Sequence, residues 1–221
     1  MKDNEMAIIA KQSGNGDFQL APEGQFAAIC HKVIDCGTQT VDGAYGVQHK
    51  RQVIIGFELH GENQIGDGSG YMEDGRPHVV QQKFTLSLGE KSKLRPFLQS
   101  WRGRPFTEDE LEGFDISKLI GAPCMVTIQH VTSAKGKTFA NITGITPKLK
   151  SIETPRLSNA PTLFEINPWD QVVFDSLSKG LQDYISKSEE YQERFGSSPS
   201  QPVDSYGDRN PPPVGDDEIP F

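Results

Sequence analysis

Several stretches combine positive charge with aromatic rings at spacings that suit a flexible polyanion. Tyr45 stands just ahead of His49-Lys50-Arg51, and Trp101-Arg102-Gly103-Arg104-Pro105-Phe106 sets two guanidinium groups between two rings. Lys135, Lys137 and Phe139 share one short segment, with Phe139 flanked at period two by Lys137 and Asn141, and Lys83 lies on the polar side of an alternating stretch. A single-stranded nucleic acid needs cations that follow its phosphates and π-faces on which its bases stack. These residues supply both. Each also has a structural reading: cations at strand ends are commonly solvated edge residues. Trp101 completes an apolar helical stripe, which favours core packing, and Phe57 and Phe84 fall with apolar faces. His31 and His130 are single strand histidines of the structural kind.

Other chemistries fit less well. Gly136-Lys137-Thr138 matches the end of a phosphate-binding loop, but the first glycine of that pattern would fall at Val131 and a strand follows. There is no nucleophile elbow, no H-E-x-x-H and no glycine-rich dinucleotide turn, so an enzyme is not expected. Glu108, Asp109, Glu110 and Glu112 are consecutive surface acids near a helix start, where the macrodipole favours them. Cys30, Cys36 and Cys124 are odd in number and form no C-x-x-C pair. With His31 and His49 they match no zinc spacing, so plain thiols in a reducing compartment are expected, and no cofactor.

Positioning these residues requires strands. Residues 25–35, 51–61 and 78–88 carry β-formers, with Val53, Ile55, Phe57 and Leu59 strictly alternating. Between them, 36–50 reads as a polar connection and 61–77, rich in Gly and Asp, as a long mobile loop. The period then changes: Leu94, Phe97, Leu98 and Trp101 fall at i, i+3, i+4 and i+7 of a helix, with Ser92 as N-cap. Thr107 to Glu110 fits a capping box, and 115–121 a short helix closed by glycine. Strands resume at 123–131 and 137–146. Three strands, a helical insert and two strands make a mainly β chain with helical inserts, the layout of the five-stranded OB-fold barrel. In that fold the 36–49 and 131–137 connections flank an oligonucleotide groove, which is where Lys50, Arg51, Lys135 and Lys137 concentrate.

The rest of the chain is different. Asn167-Pro168-Trp169 reads as the start of a helix reaching about residue 190, with Gly180 as a break. From 196 onward, Pro, Ser, Asp and Gly dominate, and such a segment cannot offset its ordering entropy. The divisions are a flexible arm at 1–23, a single-stranded DNA-binding domain at 24–150, a connector and helical extension at 151–195, and a disordered linker with an acidic tip at 196–221. Hydrophobic residues are 35% of the 221, which is low for a chain packed throughout. Residues 1–150 hold 17 basic and 17 acidic side chains, whereas 151–221 hold 5 and 13. The net charge of −8 therefore belongs to the last third. No apolar run is long enough for a membrane helix or a signal peptide, so a cytoplasmic location is expected.

Asp216-Asp217-Glu218-Ile219-Pro220-Phe221 resembles the acidic tip of bacterial single-stranded DNA-binding proteins, which typically ends Asp-Asp-Asp-Ile-Pro-Phe. Glu218 replaces the third acid and keeps the charge. The body differs from the usual bacterial version through its inserts at 61–77 and 90–121. It instead resembles a group of tailed-phage single-stranded DNA-binding proteins, through Trp101 to Phe106, Gly113-Phe114-Asp115, Gly121 to Cys124 and Gly136 to Ile142. That likeness spans roughly residues 24–190. It implies an OB-fold, binding without strong sequence preference, and a role in phage replication, recombination or repair inside the host cell. For the tip it implies that Phe221 enters an apolar pocket on a host or phage partner while the acids meet a basic rim. Self-association stays open. The alternative is an OB-fold protein-interaction module with incidental nucleic-acid binding, since the balance from Gly24 to Lys150 is only 15 basic against 13 acidic residues.

Overall fold

A computed structural model describes residues 19–43, 46–134 and 136–196. Mainly β in content, it is built on one open sheet of six strands. β1 (Gly24–Gly43), β2 (Gly46–His60) and β3 (Val79–Thr85) form an antiparallel meander, and β4 (Pro123–Thr132) and β5 (Thr138–Pro147) a hairpin. The order is β3-β2-β1-β4-β5, with β3 and β5 at the two ends of the hydrogen-bonded path. A sixth strand, β6 (Thr162–Phe164), pairs with β1 in parallel. β4 occupies one edge of β1 from Gly24 to Ile29, and β6 takes over that edge from Lys32 to Ile34.

Alternation sorts the side chains into two cores. Val53, Ile55, Phe57 and Leu59 of β2 join Phe26, Ala28, Cys30 and Val33 of β1 on the inner face. The change from even to odd positions along β1 follows from a register shift between Cys30 and Lys32, which inserts one residue and flips the pleat. α1 (Leu94–Arg102) closes the inner core with Leu94, Leu98 and Trp101. The Trp101 ring lies 5.2 Å from Phe57 and its indole N–H donates to the Pro123 carbonyl at 3.1 Å, a packing role. The helix starts at Leu94, two residues after Ser92, whose hydroxyl still accepts the Leu94 N–H. α2 (Glu108–Glu112) carries the full capping box of Thr107 and Glu110, and a 3₁₀ turn (Ile116–Leu119) is capped by Asp115.

The outer face of β1 and β2 is covered by the chain after β5. α3 (Gln171–Ser176), α4 (Lys179–Ile185) and α5 (Glu189–Phe195) pack Phe174, Leu177 and Ile185 onto Ile34, Cys36 and Ile54. The helical stretch expected to break at Gly180 is thus three helices. Its cap is Asp170 rather than Asn167, and Gly180 sits inside α4 while the breaks fall at Leu177-Ser178 and Ser186 to Ser188. Those serines cap the following helices or stand beside their caps, and this local chemistry outweighs the apolar periodicity.

Two connections differ from expectation. Residues 36–43 and 46–50 are not a loop but the distal half of a β1–β2 ribbon, in register from Gly37↔Gln52 to Gly43↔Gly46. With polar residues on both faces, a ribbon carries no alternation for the sequence to display. The 61–77 stretch has a hydrogen-bonded path: the Asn63 side chain accepts N–H groups of Gln25 and Ile65 and donates to the Glu23 and Asp67 carbonyls. Bridges Glu62↔Ser69 and Tyr71↔Pro77 complete it. β3 ends at Thr85, short of the expected residue 88.

Among the described residues no helix is long and apolar enough to cross a membrane. Cys30, Cys36 and Cys124 are buried free thiols, and burial pushes Cys30 and Cys36 up to about 12, which keeps them as unreactive thiols.

Candidate nucleic-acid interface

Three of the singled-out residues lie on the β1–β2 ribbon. His49 stands opposite Thr40, Lys50 opposite Gln39 and Arg51 opposite Thr38. His49 and Arg51 are exposed and Lys50 is half-buried, and acids gather around the first two. Asp35, one turn of the pleat below, pairs with the Arg51 guanidinium, and Glu189 of α5 contacts the His49 imidazole. Glu190 accepts the Thr38 N–H at 2.7 Å and its hydroxyl at 2.8 Å, which seats α5 on the ribbon. Lys50 forms no ion pair among the described residues. Tyr45 lies outside the described residues.

Lys83 projects from the outer side of β3, in line with Ile54. Its ammonium sits 3.0 Å from the Tyr184 hydroxyl and 4.8 Å from the centre of that ring, and the hydroxyl in turn donates to Gln52. Lys83 thus braces α4 against the sheet.

Arg102 and Arg104 converge on one acid. Arg104 donates to the two Glu110 carboxylate oxygens at 2.8 and 3.0 Å, and Arg102 pairs with the same group. Hydrogen bonds from Arg104, then Arg102, hold the Glu110 carboxyl down at about 2. The Arg102 guanidinium also lies over the edge-on Phe106–Phe114 pair, 4.5 and 5.1 Å from the two ring centres. The Trp-Arg-Gly-Arg-Pro-Phe segment therefore clamps α1 to α2, with Arg104 the more exposed of its two cations.

Lys137 and Phe139 lie together on the β4–β5 hairpin, the ammonium 5.7 Å above the half-buried ring. Phe139 faces Val131 across the ladder, and Val131 is exposed. Lys137 forms no ion pair among the described residues. Lys135 and the tip, Asp216 to Phe221, lie outside the described residues. The hairpin reaches past the start of β1, since Gly24 pairs with Ile128, while the ribbon extends past its far half. In the ladder the two cationic regions thus lie toward opposite ends of β1.

Further cations went unflagged in the sequence. Lys32 lies on the outer face beside Gly56, half-buried, and burial lowers the pKa of its ammonium. Lys148, Lys150 and Arg156 follow β5 in the segment that recrosses the sheet. Only the strand register reveals the first, and only the path of the chain reveals the others.

The fold and site define a mainly β protein, one open sheet with cations displayed on a ribbon and on a hairpin. No family model matches the chain, and no curated protein matches it.

Proposed function

We propose that this chain is a non-catalytic single-stranded DNA-binding protein of phage DNA replication, recombination or repair. It coats exposed strands without strong sequence preference and recruits host or phage proteins through residues 216–221, in the host cytoplasm if phage-encoded. The observation that carries this reading is the Lys137–Phe139 pair: an exposed cation over a half-exposed ring, the combination that a phosphate and its neighbouring base require. The strand order supports it, because β3-β2-β1-β4-β5 is the order that an OB barrel would give if opened between its third and fifth strands, and β3 and β5 lie close to one another. In that fold the β4–β5 hairpin is one wall of the groove.

Fluorescence anisotropy with a labelled dT oligomer and a matching duplex, over a salt series, tests the reading. Tight dT binding that weakens with salt is expected, and each phosphate contact adds roughly 0.7 to the logarithmic salt slope. Lys50→Ala with Lys137→Ala should flatten that slope and lower affinity on every sequence. Equal affinity for dT and duplex would sink the proposal.

A second reading, a protein-interaction module, has its own observation: Asp35 and Glu189 already engage Arg51 and His49 of the ribbon. Deleting residues 216–221 separates the two. Loss of partner capture with dT binding intact favours the first.

A further inference from the structure

Away from the ribbon and the hairpin, residues 152–158 run as a strap over the outer face of the sheet and leave a cleft of about 500 Å³ beneath it. Its floor is Ala27 and His60, one wall is Tyr71, and the other is the strap, with Ile152 and Arg156 turned to the same space. That volume lies in the range that holds a small organic ligand.

The two walls share one buried anchor. Glu58 is fully buried and accepts the backbone N–H groups of Ser158 and Asn159 at 2.9 and 2.7 Å, which fixes the strap. The same carboxylate lies 3.3 Å from His60 Nε2. Nδ1 of the same imidazole lies 3.0 Å from the Tyr71 hydroxyl, within hydrogen-bond distance. Tyr71 meets the imidazole edge-on, with ring planes at 86° and centroids 5.7 Å apart, while 38% of the residue remains exposed. A ring held by its hydroxyl and by an edge contact keeps a π-face in a fixed position, so ordering it costs a ligand little. The bridge Tyr71↔Pro77 holds its backbone as well.

The lining also states the ligand's chemistry. A tyrosine face and the Ile152 side chain suit a flat, weakly polar ring. The Gln64 amide and the hydroxyls of Thr154 and Ser158 suit ring nitrogens and carbonyls. Arg156, exposed at the rim, forms no ion pair among the described residues and suits one phosphate. Glu153 beside it leaves room for a single anion rather than a polyphosphate. We infer that this cleft is a nucleobase pocket on the path of the bound single strand, in which Tyr71 stacks one base and Arg156 takes the adjoining phosphate. The inference rests on the single-stranded DNA reading and adds a specific site to it.

The full chain is titrated with dT20 as wild type, Tyr71→Ala, Tyr71→Phe and Arg156→Ala, and crosslinked by near-ultraviolet light to a dT20 carrying 5-iodouracil. Stacking on one aromatic is worth roughly five- to hundredfold in affinity, so Tyr71→Ala should lose at least about fivefold. Tyr71→Phe keeps the face and should stay within about threefold of wild type, a stacking signature that a folding defect would not give. Arg156→Ala should lose affinity and flatten the salt slope by about 0.7. Crosslinks should map to 61–77 or 152–158. If wild type binds dT20 while both alanine variants bind equally well and crosslinks fall elsewhere, the pocket is overturned and the wider reading stands. If wild type does not bind dT20, both are overturned.

Discussion

The Glu58 carboxylate accepts the Asn159 backbone N–H at 2.7 Å and that residue's side-chain amide at 2.6 Å, tying the end of β2 to the strap that follows β5. Burial opposes ionisation of Glu58, but the N–H groups of Ser158 and Asn159 and the Asn159 amide outweigh it, so the carboxyl is held below its ordinary range. In Glu58→Gln the new amide NH₂ would face one of those donors, leaving buried groups unpaired. The expected loss is about 3 kcal/mol by urea unfolding. Limited proteolysis should then cut first within 152–159. Unchanged stability and cleavage would show that the strap is held by something else.

His31 gives the protein an acid-sensitive range. Both of its ring nitrogens are buried without a hydrogen-bond partner. Burial, followed by the neighbouring Lys32 charge, lowers its pKa to about 4, against the opposing pull of Glu58. At pH 7 the folded and unfolded forms are both largely neutral. As pH falls below about 6.5 the unfolded chain takes up a proton that the folded chain refuses, so stability drops until about pH 4. The slope for this one group approaches about 1.4 kcal/mol per pH unit. His60 and His78 are shifted down by burial as well and act in the same direction. His31→Leu should therefore make the fall between pH 6.5 and 4 shallower without abolishing it, as read by urea midpoints across that range.

Gly37 sits at φ +69° where the ribbon leaves the sheet. A Cβ there would lie 2.6 Å from the Ile166 Cδ1 and 2.7 Å from both the Glu190 carboxylate and the Ser188 Cβ. Gly37→Ala combines left-handed backbone strain with a collision against the segment that carries α5, and about 2–4 kcal/mol of destabilisation is expected. Gly43→Ala, whose nearest contact would be 3.5 Å, is the control and should stay within about 0.5 kcal/mol. Thermal unfolding of the two variants decides the matter.

What the sequence revealed was what local rules govern. The strands at β2 and β3 announced themselves by alternation, α1 by its apolar stripe, and α2 by a capping box that spans four residues. Long-range partners were illegible. Nothing near His49 in the chain indicates that Glu189, 140 residues away, will meet it, and nothing near Lys83 indicates Tyr184. The 61–77 loop looked loose because its order depends on one asparagine, and β6 is too short to leave a pattern. Of the proposed contacts, the Lys137–Phe139 pair was legible because both residues lie in one strand-and-turn segment.

The shared edge of β1 bears on how much of the chain can stand alone. β4 protects that edge as far as Ile29, and among the described residues the stretch from Lys32 to Ile34 is capped on that edge by β6, far along the chain. A fragment ending at residue 150 would leave those backbone groups bare beside Ile34 and Ile54, stripped of their cover. Such an edge is a template for strands of other molecules. The trimmed fragment should therefore precipitate or form ladders between copies where the longer chain does not, and the helices after β5 serve as its built-in protection against aggregation.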